Sequence, residues 1–498
     1  MKKYIKTLLA AALLVPLVSS CNEWLEEHPY SIATETFYNT VEEANAAMAS
    51  VSRQFFNATT NNLNFPSMLE SFADNIYGRG SWASNSTYDV LNSTNYGRTD
   101  SFWNNFYRII RDANIVISRI PDASSLTEAQ KNSYIAEARF YRGYAYMFLA
   151  RYWGRAILRT EDNMEQFEMG LSPEADIWNF CIEDLKYAVQ YCPDNAVTSD
   201  RPSKDAARAL LSEVYLINKD YSAAKPLLEA IISSGKYALV QVKTYRDFDN
   251  LFGYKVTHTS EEVFYGKTSE TNALGFYIAM MYSHPNAYVD GQKMMKSGGW
   301  YGLMASSQNK WIQDWDDNDL RKDFTVMPFL VNGKAVGNFD GLDLDMLIVK
   351  FYDPEHSGGS SCTCDNPIYR YADILIMEAE VLNETNNGPT AQAMEYLNMI
   401  HRRAYGHDPA VPSEDDYNLE DYNTKQAFMD LLTKEHCYEF FGEVKRWNFL
   451  TRTGQAERYV REYKGREINP YLYHFRYPET EFTYNTALDP NTDQNPGY

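Results

Sequence analysis

The sequence predicts a mostly α-helical fold: paired helices stacked as in tetratricopeptide repeats, with long loop-rich insertions and minor β structure. Three observations predict it. Helix-start signals recur along the chain, each followed by apolar residues at helical spacing. Two-helix units appear at a period of about 34 residues. Between these units lie long polar stretches rich in aromatic residues.

The elements follow in order. Thr40-Val41-Glu42-Glu43 is a capping box, and Val41, Ala44, Met48, Val51 and Phe55 then recur on one helix face. Phe102, Trp103, Phe106, Ile109, Ile110, Ala113 and Ile117 mark a second helix. Thr127 and Gln130 open a third, which runs to a stop at Gly154. Ser172-Pro173 is read as the cap of a fourth, which ends before Pro193. Residues 203–235 hold two helices in one repeat period. Leu211, Ser212 and Tyr215 take the large, small and aromatic places of the first helix; Ala224, Leu228 and Ile231 face them from the second. Residues 371–404 repeat the pattern with Ala379 and Leu382, then Ala393, Leu397 and Ile400, around a longer turn at Asn386-Asn387-Gly388-Pro389. The helices around 138–152 and 178–188 read as a looser copy, and 424–441 begins another helix. Residues 236–365 read differently: they are rich in Gly, Asn, Asp, Ser and aromatics, with strand-like runs such as Glu262-Val263-Phe264-Tyr265. The stretch 57–99 has the same character. Ordered loops of this length usually carry function.

Composition narrows the function. The chain has 498 residues, 44% hydrophobic and 23% charged, with a formal net charge of −21. That acidity repels phosphate backbones, so nucleic acid is excluded as a partner. Tyrosine supplies 39 residues, and Tyr offers both apolar surface and a hydroxyl to a ligand. Residues 1–20 form a signal peptide: Lys2, Lys3 and Lys6 precede an apolar run too short to span a membrane, which takes about 20 residues. The run ends in Leu17-Val18-Ser19-Ser20-Cys21, a bacterial lipoprotein pattern in which Cys21 becomes the lipidated first residue; the alternative is an ordinary secretory signal. No other segment is long and apolar enough to span a bilayer, so the mature chain is expected to be anchored by lipid rather than inserted. Cys181 and Cys192 lie on one helix about 16 Å apart, too far for a disulfide, whose Cα atoms sit within about 7 Å. Cys362 and Cys364 form a C-x-C without the further ligands zinc needs. Cys437 reads as a core thiol.

At this point the sequence resembles the SusD/RagB family of outer-membrane lipoproteins of Bacteroidetes, over nearly its whole length. The lipobox at Cys21 is followed by Leu25, Glu26 and Pro29. The run AEARFYRGYAYMFLARYWG (136–154) is similar to the family's N-terminal signature. RYADILIMEAEVLNET (from Arg370), NMIHRRA (398–404) and KEHCYEFFGEVKRWNFLTRTG (434–454) resemble its later helices, and QNPGY (494–498) its ending. His436 stands where the family usually has Arg, which puts that Arg's ion pair in doubt here. The resemblance implies a helical fold with four tetratricopeptide-like units and a surface lipoprotein of the outer membrane. It also implies a separate partner chain, a SusC-like TonB-dependent transporter. The cargo is a glycan, or in some members a peptide, and the protein does no chemistry on it. It divides the chain into an N-terminal SusD-like region (21–235), a loop-rich variable region (236–365) and a C-terminal SusD/RagB region (366–498).

Sugar capture needs flat rings for the C–H face of a pyranose and polar groups for its hydroxyls. Two loop clusters offer both. The first runs from Asp74 and Asn75 through Tyr77 to Trp82. The second spans 282–311 and includes Tyr288, Asp290, Gln292, Trp300, Tyr301 and Trp311. Trp82 lies between Ser81 and Ala83, and Trp300 follows Gly298-Gly299. Such small neighbours leave a ring face open, so Trp82 and Trp300 are expected to line an exposed platform with Tyr77, Tyr288 and Tyr301. Asp74 and Asn75 are expected to bind hydroxyls beside it. No metal or cofactor is expected. Asp314-x-Asp316-x-Asn318 begins like a calcium loop, but Asp319 stands where Gly is needed and Thr325 where Glu is needed; Asp319-x-Arg321 fits a structural pair better. Glu435 and Glu439 share a helix face, as a glycosidase pair would, yet read as salt-bridged scaffold. The rivals to glycan capture are a scaffold subunit that binds no ligand and a surface glycosidase.

Overall fold

The structure, a computed structural model, describes residues 38–498 apart from 197, 199, 270–273 and 359–361. The expectations for residues 1–20 and for Cys21 lie outside the described residues.

Helix α1 (Val41–Thr59) starts at the capping box read from the sequence: Thr40 Oγ1 accepts from Glu43 N, and the Glu43 carboxylate accepts from Thr40 N at 2.9 Å. Helices α2 (Asn64–Phe72) and α3 (Ser93–Arg119) follow. Helix α4 (Glu128–Trp153) opens on a second capping box at Thr127 and stops at Gly154, whose positive φ ends the helix. Helix α5 (Glu174–Tyr191) begins without a side-chain cap because its N-cap position is Pro173, which has no side-chain acceptor; Ser172, read as the cap, lies one residue earlier and exchanges backbone hydrogen bonds with Ala156. Helices α6 (Lys204–Ile217), α7 (Tyr221–Ser233), α8 (Tyr371–Thr385) and α9 (Ala391–Ala404) complete the repeats. Helices α10 (Lys425–Glu439), α11 (Arg446–Arg452) and α12 (Ala456–Lys464) close the C-terminal part.

Each helix from α3 to α9 packs on the next, so the stack is continuous. The step from α7 to α8 is as close as the others although residues 234–370 intervene in sequence. Those residues are thus an insertion into a solenoid, whose neighbouring units bury each other's apolar faces. Small side chains set the spacing. Ser212 and Ala224 are fully buried. A Cβ on Gly143 of α4 would meet Leu185 of α5 at 3.0 Å.

Among the described residues the β structure forms five two-stranded antiparallel ladders. Strand β2 (Glu262–Gly266) pairs with β10 (Asn366–Arg370), which runs directly into α8 and ties both ends of the insertion to the scaffold. Strand β1 (Tyr77–Gly78) pairs with β5 (Leu303–Met304), joining the two loop regions. Strands β3 (Tyr288–Val289) and β4 (Gln292–Lys293) form a hairpin; β7 (Gly337–Phe339) and β8 (Leu342–Leu344) form another, and β6 (Val326–Pro328) pairs with β9 (Met346–Ile348). A small second core under these ladders contains Tyr77, Val289, Met294, Met304, Phe339 and Leu347.

Candidate ligand-binding surface

The first loop cluster is interior. Asp74 is fully buried; its carboxylate accepts from the Arg446 guanidinium at 2.8 and 2.7 Å and from Trp311 Nε1 at 2.8 Å. Asn75 is buried and donates to Cys437 Sγ at 3.5 Å. Tyr77 is buried against Phe339, its hydroxyl accepting from Asn309 at 2.7 Å, and burial pushes its pKa up to about 12. Trp82 is only 6% exposed. The small residues beside it admit not a ligand but Arg98, whose guanidinium lies 3.5 Å from the ring centroid and donates to Ser81 O. The expectation of an exposed platform at Trp82, Tyr77, Asp74 and Asn75 is therefore corrected: this segment joins β1 to the core, where Asp74 and Tyr77 have protein partners and Asn75 keeps a buried Oδ1 without one. Trp311 is interior too, stacked on Tyr463 at 4.2 Å.

The second cluster divides. Residues 283–301 make one excursion from the fold. Its base is closed by Trp300 N donating to Met280 O at 2.8 Å and Tyr301 N to Ser283 O at 3.0 Å, and its tip is the β3–β4 hairpin. The hairpin alternates as a half-buried strand should: Ala287, Val289 and Met294 face the small core, while Tyr288, Asp290 and Gln292 face out. Tyr288 is 55% exposed and Trp300 49%. Tyr301 is half-buried beneath Arg79, 4.3 Å above its ring, and beside His284, so it offers no open face; that expectation is corrected as well. Tyr277, which the sequence reading missed, lies 6.2 Å from Trp300 at a tilt of 49° and is half-buried. Its position five residues before Tyr282, outside the cluster as drawn, hid it.

Backbone strain concentrates in the same excursion. Asp290 (φ 49°), Gly291, Gly298, Gly299 and Tyr301 (φ 35°) all adopt positive φ. Gly299 has φ 99°, and a Cβ there would meet Ser283 O at 2.7 Å; only glycine lets the chain turn and project Trp300. At the tip, Asp290 is bonded by Arg246 and accepts from Tyr245 at 2.9 Å. The Arg246 hydrogen bond holds its carboxyl below the usual range. The excursion thus presents two open rings beside fixed and free polar groups, Asn286 and Gln292 among the latter.

The paired glutamates of α10 are not a catalytic pair. Glu435 and Glu439 are buried. Arg321 donates to them at 3.0 and 3.2 Å, and Arg370 and Arg403 also bond Glu439. Burial alone would raise both pKa values, but the facing guanidiniums hold them well below the carboxylate range. A group so firmly ionised is no proton donor. Asp319 grips Arg321 through both oxygens, at 2.9 and 2.6 Å, which is the structural pair anticipated from the sequence.

A family model described as starch-binding and associating with the outer membrane matches residues 23–216, and the SusD family model matches 248–498, half of the chain. The chain belongs to the SusD/RagB family. A SusD-like protein, P2, of Formosa agariphila is 28% identical over the full length of both chains. A SusD homologue from Bacteroides thetaiotaomicron shares the fold with a TM-score of 0.74 and 20% identity, over 93% of this chain and 98% of that one. A laminarin-binding SusD-like protein matches with a TM-score of 0.73 and 20% identity, over 93% of this chain and all of the other. Among the described residues of this SusD/RagB protein no helix is long and apolar enough to cross a membrane. At the position where the family resemblance implies Arg, His436 makes no ion pair. It is buried and stacks on Phe449 at 4.0 Å, and burial followed by the nearby Arg446 drives its pKa well below normal.

Proposed function

We propose that this SusD/RagB protein captures glycan on the 283–301 excursion and delivers it to a SusC-like TonB-dependent transporter, held at the outer membrane by a lipid on Cys21. The observation that carries the capture step is the exposure of Trp300, a large ring half open to solvent on a loop whose glycine backbone is fitted to project it. Non-glycine residues at positive φ cluster at ligand clamps, and here Asp290 and Tyr301 take that conformation next to the exposed Tyr288 and Trp300. The laminarin-binding relative supports a glycan as the ligand.

Calorimetric titration of the lipid-free chain with a panel of oligosaccharides and peptides tests the reading. Trp300→Ala and Tyr288→Ala are each expected to weaken glycan binding by about 1–3 kcal/mol, the size of ring stacking on a flat ligand, with little change in melting temperature. Peptide binding in place of glycan binding would reassign the cargo, and silence across the panel would leave a scaffold subunit. For the anchor, Cys21→Ala is expected to release the protein from the membrane fraction of cells lacking the transporter; retention there would contradict lipid anchoring.

A further inference from the structure

A second loop holds the stem of the 283–301 excursion from behind. Lys296 N and Ser297 N donate to His356 O at 2.8 and 3.3 Å, and Ser297 Oγ donates to Ser357 O at 2.7 Å. These bonds fall just before the Gly298-Gly299 turn that projects Trp300. Asp353, only 1% exposed, draws the root of this loop together. Its carboxylate accepts from Glu355 N at 2.9 Å on one side, and from Thr363 N at 2.9 Å and Thr363 Oγ1 at 3.0 Å on the other.

Thr363 stands between Cys362 and Cys364. Burial alternates along this stretch: both cysteines are buried, while Thr363 and Asp365 are half-buried. That is the pattern of extended chain, in which residues two apart share a face. The two thiols meet on that face. Cys362 is within side-chain hydrogen-bond reach of Cys364, whose Sγ also lies 3.6 Å from Tyr352 O. Two residues of chain separate their Cα atoms by at most about 7 Å, the outer span of a disulfide. Two of the other cysteines have different neighbours: Cys181 bonds Gly143 O, and Cys437 meets Asn75. Two sulfurs are half of a zinc site, and among the described residues no group of three or more His, Cys, Asp or Glu is placed to hold a metal. A bond across Thr363 would instead fix its backbone in the conformation that Asp353 grips.

We propose that Cys362 and Cys364 are joined by a disulfide that fastens the root of this loop behind the excursion. Forming it joins the two sulfurs and removes a hydrogen from each; the two electrons and two protons pass to an external disulfide, which leaves as a dithiol. The exchange takes place while the chain folds, before the sulfurs are buried. In the folded chain the hydrogen bond with Cys362, followed by burial, lifts the Cys364 thiol well above its ordinary pKa, and the attacking form is the thiolate. Only the encounter with such an oxidant outside the cytoplasm rests on the export reading above. To test the bond, the lipid-free chain is secreted into a bacterial periplasm, where disulfides form and persist. It is then denatured in iodoacetamide without reductant and cut with trypsin. Lys350 and Arg370 bound one peptide, 351–370, whose only cysteines are these two. That peptide is expected to be unlabelled and two hydrogens lighter than the dithiol, and to take two labels only after reduction. In Cys364→Ser, Cys362 is expected to be labelled directly. The fastening is read by amide exchange at Lys296 and Ser297, expected to be several-fold faster in the Cys362→Ser/Cys364→Ser variant than in the oxidised wild type. Two labels on the unreduced wild-type peptide would overturn the disulfide, and equal exchange would overturn its hold on the excursion. Neither measurement uses a ligand, so failure of glycan capture would show separately.

Discussion

Asp74 and its partner Arg446 are 372 positions apart in the chain, and that separation is why local sequence misplaced Asp74. Beside Asn75 and Tyr77 in a stretch without helical period, it has the features of a loop carboxylate awaiting a ligand. The same limit applies to Trp82 and Trp300, each of which follows small residues in sequence. Arg98 covers the first, and nothing comparable covers the second. Local pattern reports how much room a ring has, whereas burial depends on which distant side chain takes that room. The structure therefore separates residues the sequence grouped, leaving Trp300 and Tyr288 as the exposed candidates. Asp74→Ala would leave the Arg446 guanidinium buried and unpaired. Denaturant unfolding is expected to show a loss of about 3–5 kcal/mol, in contrast to the near-neutral effect of Trp300→Ala. An unchanged midpoint for Asp74→Ala would contradict the interior role assigned to that carboxylate.

The helices were legible because their signals are local. Capping boxes at Thr40 and Thr127 lie within four residues of the groups they satisfy, and apolar positions recur within one turn. The repeats were legible for a related reason: small residues must stand where neighbouring helices cross, so Ser212 and Ala224 mark the contact even with the partner helix unseen. The insertion offered no such periodicity, and its two-residue strands, β3, β4 and β5, like β1 in the earlier loop, are too short to alternate. Ala224 gives the test of register. It is fully buried on α7, which packs on both α6 and α8. Ala224→Leu is expected to overpack that junction and cost about 1–3 kcal/mol, read as a lower melting temperature. Glycan affinity should survive at temperatures where the variant is folded, since the excursion is anchored elsewhere. A melting temperature equal to wild type would mean that this face of α7 has slack the structure does not show.

At the scale of the whole molecule, buried charges bind distant parts of the chain together. Glu261 from the insertion bonds Arg370 and Arg403, Arg321 reaches Glu435 and Glu439, and Lys350 meets Glu443. Such a network is strongly destabilised when one member loses its charge, because its partners stay buried. The carboxylates show where that happens. Burial would raise the pKa of Glu443, but Arg370, Lys350 and Lys445 outweigh it and bring the value from 4.5 to about 2. Glu435 and Glu439 are held low in the same way. A lowered carboxylate pKa means the unfolded chain takes up the proton first as pH falls. The stabilisation is therefore complete above pH 4.5 and is lost as pH drops from there through about 2. The shift at Glu443 alone corresponds to about 3 kcal/mol. Glu70 acts oppositely: burial lifts it to about 8, so its contribution declines as pH rises from 4.5 through 8. Carboxylates lifted by burial, Glu378 as well as Glu70, change stability above 4.5 and not below it, so the acid loss below 4.5 follows the lowered group of Glu435, Glu439 and Glu443. Unfolding free energies measured from pH 7 downward are expected to fall steeply below pH 4.5, and Glu443→Gln, less stable at pH 7, to show a shallower acid limb. A wild-type profile that stays flat to pH 3 would mean these glutamates do not carry their charges in the folded state.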